Sequence, residues 1–422
     1  MTIGSLDRLE MRQRQRELAQ NPEWRVADYL TAAEAANRLG VSRQTLYSYV
    51  SRGLLRAHGT SDPRQRRYAS EAVAQLADQR RRGRRPKEVA KATLDWGLPV
   101  LESAITLIQG GRLFYRGVDA VGLAKDATVE DVAVSLWRLP AATAFGPTAP
   151  EAPEIMMALA RRYKGIPRDE ALLPLFAAAT TDDGTALWQH DPGRLAEGCG
   201  ALVRLLLSCV ADAPPGAAPL HRQLAKAWRL DRKGADLVRM ALVLCADHEL
   251  NASSFTARCV ASTGASLRAA VIGGLAALSG GRHGGMTARI ETFWRSLDDG
   301  GLLLQLRRRL AADEVLPGFG HPLYPEGDMR AAVLLDHILP RFPRARALVT
   351  AAEQLTGHAP NIDFALVTLR RFLKLPEGCA FGLFALGRSV GWIAHAMEQW
   401  ETGQLIRPRA VYTGPLPGET AS

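Results

Sequence analysis

Hydrophobic and polar residues are arranged in two different ways along this 422-residue chain. Between residues 31 and 53, two short amphipathic segments are separated by a glycine, which predicts a pair of small helices. From about residue 95 to 407, apolar positions recur every three to four residues, as in 235–245, 302–312, 329–339 and 379–400, and predict longer helices. One stretch differs, because Gly110-Gly111 in the middle of 105–115 predicts a β-hairpin. The pattern therefore predicts an all-α body with a small separate module before it.

The small module carries the start and stop signals of two helices. Thr31 and Glu34 have the spacing of a capping box, in which each side chain accepts a hydrogen bond from the other residue's backbone N–H. Gly40 suits the left-handed turn that ends a helix, and Ser42 can cap a second helix running to about Arg52. We expect these helices to cross as in a helix-turn-helix, with the first residues of the second helix exposed.

The residues after the second helix predict a basic wing. Leu54–Arg56 and Arg67–Tyr68 can pair as strands around a polar turn, and Ser70 can cap a further helix. The stretch from residue 30 to 76, which contains "TAAEAANRLGVSRQTLYSYVSRGLL", resembles the winged helix-turn-helix of the MerR and excisionase group. The resemblance implies contact with double-stranded DNA through six residues, Arg43, Gln44, Thr45, Arg64, Arg66 and Arg67. The alternative is a small helical appendage used for dimer packing or for no contact at all.

Positive charge is concentrated in the same region. The formal net charge is +10, and residues 1–91 hold 19 Lys and Arg against 10 Asp and Glu, whereas the remaining residues hold 34 against 33. Residues 80–87 contain five arginines and a lysine around Gly83 and Pro86, which indicates a solvated linker that can add nonspecific affinity for phosphates. We therefore expect a charged lead-in (1–28), a winged helix-turn-helix (29–79) and a basic linker (80–94).

Several classes of protein are disfavoured by the sequence. The longest apolar run, 269–278, is far short of the roughly 20 residues that cross a bilayer, and the charged N-terminal stretch has no apolar core of a signal peptide. No glycine-rich phosphate loop follows a predicted strand. The cysteines contain no CxxC pair and are odd in number, which predicts reduced thiols in a cytoplasmic protein without a metal site or membrane contact. They are Cys199, Cys209, Cys245, Cys259 and Cys379.

Three histidines and an aspartate form a candidate catalytic set. His248 lies in "CADHELNASS", His283 in "SGGRHGGMT" and His321 in "LPGFGHPLYPEGDMRA", and Asp363 begins a predicted helix in "PNIDF". Glycines beside a histidine indicate a sharp turn or a backbone that comes close to a ligand. A single histidine is more often structural, but three in such surroundings together with an aspartate are better explained by catalysis.

These segments, in this order, resemble citrate synthase. The resemblance runs along most of residues 105–414 and includes "GRLFYRGVDAVGLAKDATVEDVAVSLWRLP", "GRSVGWIAHAMEQ" and "LIRPRAVYTG". It implies an all-α body with a large domain (95–284 and 381–422) and a small domain (285–380) that closes over the substrates. It further implies a homodimer or higher homo-oligomer that joins acetyl-CoA to oxaloacetate without a metal or a cofactor.

The resemblance also implies roles for individual residues. Asp363 would remove a proton from the acetyl methyl group, His283 would donate a hydrogen bond to the thioester oxygen, and His321 would donate one to the oxaloacetate carbonyl. Oxaloacetate would be bound by His248, Arg330, Arg388 and Arg407, the last from the partner subunit. CoA would lie against Leu316, Pro317, Gly318, Phe319 and Gly320.

Some positions depart from the family pattern. Around His283, Gly281-Arg282 and Met286-Thr287 replace the neighbours that are usual in the family. After His321, the segment Pro322–Pro325 lacks the basic residue that commonly follows this histidine. Arg282 can substitute for that residue. One methylene is worth only about 1–3 kcal/mol of discrimination, so 2-methylcitrate synthase and a citryl-CoA cleaving enzyme stay as alternatives. A transcription regulator that senses a metabolite with a citrate-synthase-like body is a third.

Overall fold

The structure of the protein is a computed structural model that describes residues 29–51, 54–59, 66–70, 72–74, 76–77, 101–179, 183–298, 300–410 and 412–414. The chain divides into two compact units, residues 1–102 and 103–422. The predicted lead-in (1–28) and basic linker (80–94) lie outside the described residues. The division of the helical body near residues 285 and 380 stays a prediction.

In the first unit, two helices accompany a three-stranded antiparallel sheet. The strands are β1 (Tyr29–Thr31), β2 (His58–Gly59) and β3 (Arg66–Ala69), in the order β1-β3-β2, and the helices are α1 (Ala32–Leu39) and α2 (Arg43–Ser51). Residues 70, 72–74 and 76–77 are also helical. The core of this unit includes Ala35, Leu39, Leu46, Tyr68 and Val73.

The predicted helix signals of this unit are confirmed. The Glu34 carboxylate accepts a hydrogen bond from the Thr31 backbone N–H at 2.7 Å, and Thr31 Oγ1 accepts one from the Glu34 N–H at 3.3 Å. Gly40 follows α1 with a φ of 62°, and Ser42 Oγ accepts from the Thr45 N–H at 3.2 Å. These contacts satisfy backbone groups that a helix end leaves unpaired, so local chemistry defines both helices.

The wing was predicted at the wrong place. The strand that pairs with β3 on this side is His58–Gly59, with His58 opposite Arg67, and not Leu54–Arg56. Leu55 is only 3% exposed and belongs to the core, so its segment closes the core between α2 and the sheet. On the other edge of β3 lies β1, a strand that the sequence pattern did not indicate.

The second unit begins with the predicted hairpin, which is confirmed. β4 (Thr106–Gln109) pairs with β5 (Arg112–Tyr115), and β6 (Val118–Asp119) adds to β5. Gly110 and Gly111 have φ values of 58° and 70°, as a two-residue hairpin turn requires. The helices that follow are α3 (Ala120–Asp126), α4 (Val129–Trp137), α5 (Ala141–Ala144), α6 (Glu154–Arg162), α7 (Arg168–Ala178), α8 (Pro192–Ala211), α9 (Leu220–Ala227), α10 (Arg232–Cys245), α11 (Ala252–Ser262), α12 (Leu267–Leu278), α13 (Met286–Arg295), α14 (Leu302–Ala311), α15 (Met329–Ile338), α16 (Pro343–Thr356), α17 (Ile362–Phe372) and α18 (Cys379–Thr402).

The helix α18 lies in the core of this unit. It packs against α4, α8, α10, α11, α12 and α17, and every residue from 379 to 396 is buried. Added Cβ atoms at Gly274 and Gly387 would lie 2.6 Å from Trp392 and 2.8 Å from Cys245, so glycines allow α12 and α10 to approach α18 closely. No helix within the described ranges is long and apolar enough to cross a membrane. The four long helices predicted from the spacing are confirmed, with ends within three residues.

Candidate active site

The four candidate catalytic residues lie at helix ends or in the turns between helices of the second unit. His248 follows α10, His283 lies between α12 and α13, His321 precedes α15, and Asp363 is the second residue of α17. The rings of His248 and His321 meet edge to face with centroids 5.3 Å apart. Helix packing thus brings together side chains that are far apart in the sequence.

His248 is buried and acts as a neutral hydrogen-bonding group. Its Nε2 lies 2.8 Å from the hydroxyl of Tyr324. Burial lowers the pKa of His248 well below its usual value, and the guanidinium groups of Arg330 and Arg388 add to this effect. The His248 ring therefore offers the site an oriented hydrogen bond and no positive charge.

His321 is held in one tautomer by its own loop. Its Nδ1 accepts a hydrogen bond from the backbone N–H of Leu323 at 3.1 Å. Burial, with help from Arg330, lowers the pKa of His321 to about 4, so the ring is neutral at pH 7. Because Nδ1 is an acceptor, the single ring proton is on Nε2, and His321 can donate it to a carbonyl oxygen.

His283 is oriented by a hydroxyl group that several residues share. Its Nε2 lies 2.8 Å from Ser253 Oγ, which also accepts from Trp392 Nε1 at 3.0 Å and lies 2.7 Å from Asn251 Oδ1. Burial is the main cause that lowers the pKa of His283 to about 3. Ser253 Oγ donates its single proton to Asn251 Oδ1, so in this arrangement His283 Nε2 donates to Ser253. Donation from His283 Nδ1 to a ligand requires the Ser253 hydroxyl to turn from Asn251 and donate to His283 Nε2 instead.

Asp363 has the environment of a general base. Asn361 caps α17 by accepting a hydrogen bond from the Phe364 N–H at 3.3 Å, which fixes the first turn of the helix. Asp363 Oδ1 is buried and has no hydrogen-bond partner within the described part of the chain. Burial raises the pKa of this carboxyl to about 7, although Arg330 opposes the shift. A carboxylate with such a pKa can accept a proton near neutral pH.

Arg330 is neutralised by Asp328. Its Nε and Nη2 donate to the two carboxylate oxygens of Asp328 at 2.9 and 2.8 Å. The same carboxylate accepts from the backbone N–H of Ile362 at 3.0 Å. Although burial favours the protonated acid, Arg330 holds the pKa of Asp328 below its usual value. This pair therefore joins the first turn of α15 to the first turn of α17.

Arg388 is a buried cation that is not fully satisfied by the protein. It is 1% exposed, and its Nε donates to the carbonyl oxygen of Cys245 at 3.0 Å. Its Nη2 is buried and has no hydrogen-bond partner among the residues that the structure covers. Burial lowers the pKa of Arg388, although Asp247 opposes the shift, because a charged group is costly to remove from water. The arrangement suits an anionic ligand that accepts from this nitrogen.

The five candidate CoA residues form a loop that is hydrogen-bonded to the start of α17. The N–H of Gly320 donates to Ala359 at 2.8 Å, and the N–H of Asn361 donates to Gly318 at 2.9 Å. Gly318 has a φ of 88°, and a Cβ there would lie 2.9 Å from Ile290 and Phe364. Leu316 is buried, while Pro317 and Phe319 are half-buried. The loop is thus tied to the residues that position Asp363.

The remaining candidate site residues belong to other segments of the chain. Arg407 is exposed in the segment after α18 and is not among the residues brought together here. In the first unit, Arg43, Gln44 and Arg66 are exposed, whereas Thr45 and Arg67 are half-buried. The Thr45 hydroxyl lies 2.9 Å from that of Ser42 and is used in the helix cap. Arg64 lies outside the described residues.

Comparison with known proteins identifies the family of this chain. The model described as "Citrate synthase, C-terminal domain" matches residues 93–409. The chain belongs to the citrate synthase family. A second model, "Helix-turn-helix domain", matches residues 29–81, so the chain combines the two modules that its sequence resembles.

The relatives include enzymes with two different names. Citrate synthase of Haloferax volcanii is 30% identical over 385 residues, covering 75% of this chain and 94% of that protein. "Putative citrate synthase 2" of Mycobacterium tuberculosis is 37% identical over 187 residues, covering 42% of this chain and 50% of the relative. 2-Methylcitrate synthase 1 of Corynebacterium glutamicum is 33% identical over 184 residues, covering 41% of this chain and 48% of the relative. The matched segment spans about half the length of the last two relatives.

Solved structures confirm the predicted fold class. Citrate synthase from Thermotoga maritima superposes with a TM-score of 0.65 at 24% identity, covering 77% of this chain and 96% of that one. Citrate synthase from Thermoplasma acidophilum, in a ternary complex with carboxymethyl coenzyme A and oxaloacetate, superposes with a TM-score of 0.65 at 23% identity. The coverage of the two chains is the same as for the first structure. The body therefore has the helical citrate synthase fold.

Two residues of the site were not singled out from the sequence. Tyr324 contacts His248, and Asp328 neutralises Arg330. Both lie in the "HPLYPEGDMRA" segment, where an aspartate just before a predicted helix is a signal for a cap. In the described residues, no group of three or more His, Cys, Asp and Glu side chains is arranged to hold a metal ion.

A buried polar network of Asp247, His395 and Arg258 lies next to His248. Asp247 Oδ2 lies 2.6 Å from the Thr106 hydroxyl, which donates to it, and 3.3 Å from His395 Nε2. His395 Nδ1 lies 3.2 Å from Arg258 Nη1, which also pairs with Glu398 at 2.6 Å. Because guanidinium can only donate, His395 accepts on Nδ1 and donates from Nε2 to Asp247. The network fixes the backbone immediately before His248.

Proposed function

We propose that this protein is a citrate synthase that condenses acetyl-CoA with oxaloacetate and water to give citrate and CoA. The observation that carries the proposal is the buried Asp363 carboxyl, whose Oδ1 has no hydrogen-bond partner in the described part of the chain and whose pKa of about 7 suits a base. It shares the site with neutral histidines and with Arg388, a buried cation suited to an anionic ligand. The alternatives that keep this scaffold change only the acyl-CoA or the direction of the reaction.

The proposed reaction begins with removal of a weakly acidic proton. Asp363 takes a proton from the acetyl methyl group while His283 donates a hydrogen bond to the thioester oxygen, where negative charge develops. His321 donates from Nε2 to the oxaloacetate ketone and makes its carbon more electrophilic. The enolate carbon attacks the ketone carbon, and the resulting alkoxide takes up one proton, which balances the proton removed from the methyl group, to give citryl-CoA. Hydrolysis of its thioester by water then releases CoA and citrate.

Oxaloacetate is a dianion, and the proposed site offers it fixed cations. Arg388 has an unpartnered nitrogen, Arg330 keeps the Nη1 that Asp328 does not use, and His248 adds a neutral hydrogen bond. Arg407 is proposed to come from the partner subunit of a homodimer, which is consistent with its exposed position after α18. Two-pronged guanidinium groups suit carboxylates better than lysine does.

Closure of the proposed small domain (285–380) would complete the site. This domain contains His321, Arg330, Asp363 and the CoA loop 316–320, whereas His248, His283 and Arg388 belong to the proposed large domain. Joining the two sets around the substrates would exclude water until the enolate has reacted. The reaction needs no cofactor besides the acyl-CoA substrate.

Measurement of free CoA thiol tests the proposal directly. The intact protein is incubated with oxaloacetate and either acetyl-CoA or propionyl-CoA, and initial rates are compared at equal concentrations. We expect acetyl-CoA to be preferred. A large preference for propionyl-CoA would favour 2-methylcitrate synthase, the name carried by some relatives. Thiol release in neither reaction would favour the metabolite-sensing regulator.

We further propose that the helix-turn-helix domain binds double-stranded DNA in the cytoplasm. Its support is the matched domain model, the exposed Arg43, Gln44 and Arg66, and the concentration of positive charge before residue 92. Electrophoretic mobility shift of random-sequence duplex by the full chain, at low and then rising salt, is the test. No shift at low salt would leave only the appendage interpretation.

A further inference from the structure

Tyr324 lies at the point where three candidate substrate-site residues meet. It is 2% exposed, and its hydroxyl oxygen is 2.8 Å from His248 Nε2. Its ring centroid lies 5.0 Å from that of His321, and the guanidinium carbon of Arg330 lies 5.2 Å from the ring centroid. One side chain thus contacts a proposed catalytic histidine and two proposed oxaloacetate ligands.

The loop fixes the backbone of Tyr324 on both sides of the residue. The Tyr324 N–H donates to the carbonyl of His321 at 3.0 Å, and the carbonyl of Tyr324 accepts from the Gly327 N–H at 3.0 Å. Gly327 has a φ of 115°, so a side chain at that turn would be strained. Two consecutive turns therefore hold Tyr324 in a defined position relative to His321.

The hydrogen bond between Tyr324 and His248 has a definite direction. Burial raises the pKa of Tyr324 to about 12 and lowers that of His248 well below its usual value, so both groups are neutral. A phenol is the stronger donor and an imidazole nitrogen the stronger acceptor. The phenol proton is therefore donated to Nε2, and the proton of the His248 ring is placed on Nδ1.

We propose that Tyr324 is a positioning residue of the oxaloacetate site, which holds His248 in one orientation and one tautomer. The proposal rests on the proposed function. Tyr324 precedes α15, which carries Arg330, whereas His248 follows α10. Their hydrogen bond therefore links the two groups of residues between which oxaloacetate would bind.

Tyr324→Phe isolates the hydroxyl, because the ring and its contacts with His321 and Arg330 are kept. We expect the KM for oxaloacetate to rise about tenfold, the effect of one lost hydrogen bond in a buried site. The KM for acetyl-CoA and kcat should change by less than about twofold. Tyr163→Phe, a half-buried tyrosine after α6, serves as the matched control and should leave all three constants unchanged.

A double-variant cycle tests whether the effect passes through His248. If it does, adding Tyr324→Phe to His248→Gln raises the KM for oxaloacetate little further. An unchanged KM in Tyr324→Phe, fully additive losses, or equal losses in all constants with a lower unfolding temperature would overturn the proposal. Absence of CoA release and of oxaloacetate binding in the unsubstituted protein would instead refute the proposed function.

Discussion

The two units of this protein use positive charge in opposite ways. In the helix-turn-helix unit, Arg43 and Arg66 are exposed to water. In the body, Arg330 and Arg388 are 2% and 1% exposed. Exposed charges act collectively and are screened by salt, whereas a buried guanidinium acts through individual hydrogen bonds and destabilises the protein unless an anion accepts them.

The net charge of a unit therefore does not indicate whether that unit places individual cations where a ligand can bind. The body has almost equal numbers of acidic and basic residues outside the first 91 positions, and yet it presents cations suited to a dianion. The first unit carries the excess charge, and its described arginines Arg43 and Arg66 are exposed. Its function should depend on salt, and that of the body on single residues.

The largest effect is expected for Asp363→Ala. Loss of the base should lower kcat about 10³-fold, while oxaloacetate binding stays nearly unchanged because Asp363 is not one of its proposed ligands. CoA thiol release and calorimetric titration with oxaloacetate measure the two quantities. Asp336→Ala, an exposed aspartate on α15, is the matched control. Turnover that survives in Asp363→Ala contradicts the assignment of the base.

A smaller effect is expected for Arg388→Lys. The charge is kept but the planar donor geometry is lost, so the KM for oxaloacetate should rise about 10–100-fold. In the unsubstituted protein, this KM should change little between low and moderate salt, because the cation is buried. Arg161→Lys, an exposed arginine in the last turn of α6, controls for the substitution. An equal rise in both variants would show that the effect is not specific to the site.

The pH dependence of kcat/KM should show a base near neutrality. Because the pKa of Asp363 is about 7, the carboxyl is protonated and inactive at lower pH, and the rate should rise about tenfold from pH 6 to pH 8. The histidines His283 and His321, with pKa values of about 3 and 4, stay neutral across this range. A rate that is flat down to pH 5 would mean that another group is the base.

The smallest effect is expected in the first unit. Arg66→Ala should weaken duplex binding by the full chain several-fold and reduce the slope of log affinity against log salt by about one. Arg161→Ala removes the same charge from the other unit and should leave the slope unchanged. If both variants behave alike, overall charge and not the helix-turn-helix determines binding.

Features that depend on a few neighbouring residues could be predicted from the sequence. The capping box at Thr31, the glycine turn of the hairpin and the spacing of the long helices each rest on contacts within one element. The catalytic set could be proposed because its residues stand in motifs that resemble a family. The structure brings His248 and His321 together, with ring centroids 5.3 Å apart.

Features that depend on packing between distant segments could not be predicted in this way. The strand β1 is defined by its partner β3 almost forty residues later, and the wing is displaced because Leu55 is taken into the core. The position of Asp328 before a predicted helix indicates a cap but not an ion pair with Arg330, and a single tyrosine in a loop carries no pattern that predicts its contacts. Only the fold shows that Tyr324 contacts His248 and that Asp328 contacts Arg330.

The carboxylate of Asp328 has a mechanical consequence. It accepts hydrogen bonds from Arg330 and from the backbone of Ile362, the residue before Asp363. Charge-assisted hydrogen bonds of this kind are short and strong, so we expect the first turns of α15 and α17 to move together. A movement of Arg330, a proposed oxaloacetate ligand, should therefore also move Asp363, the proposed base. The distance between these two proposed site residues is therefore constrained by the Asp328 carboxylate.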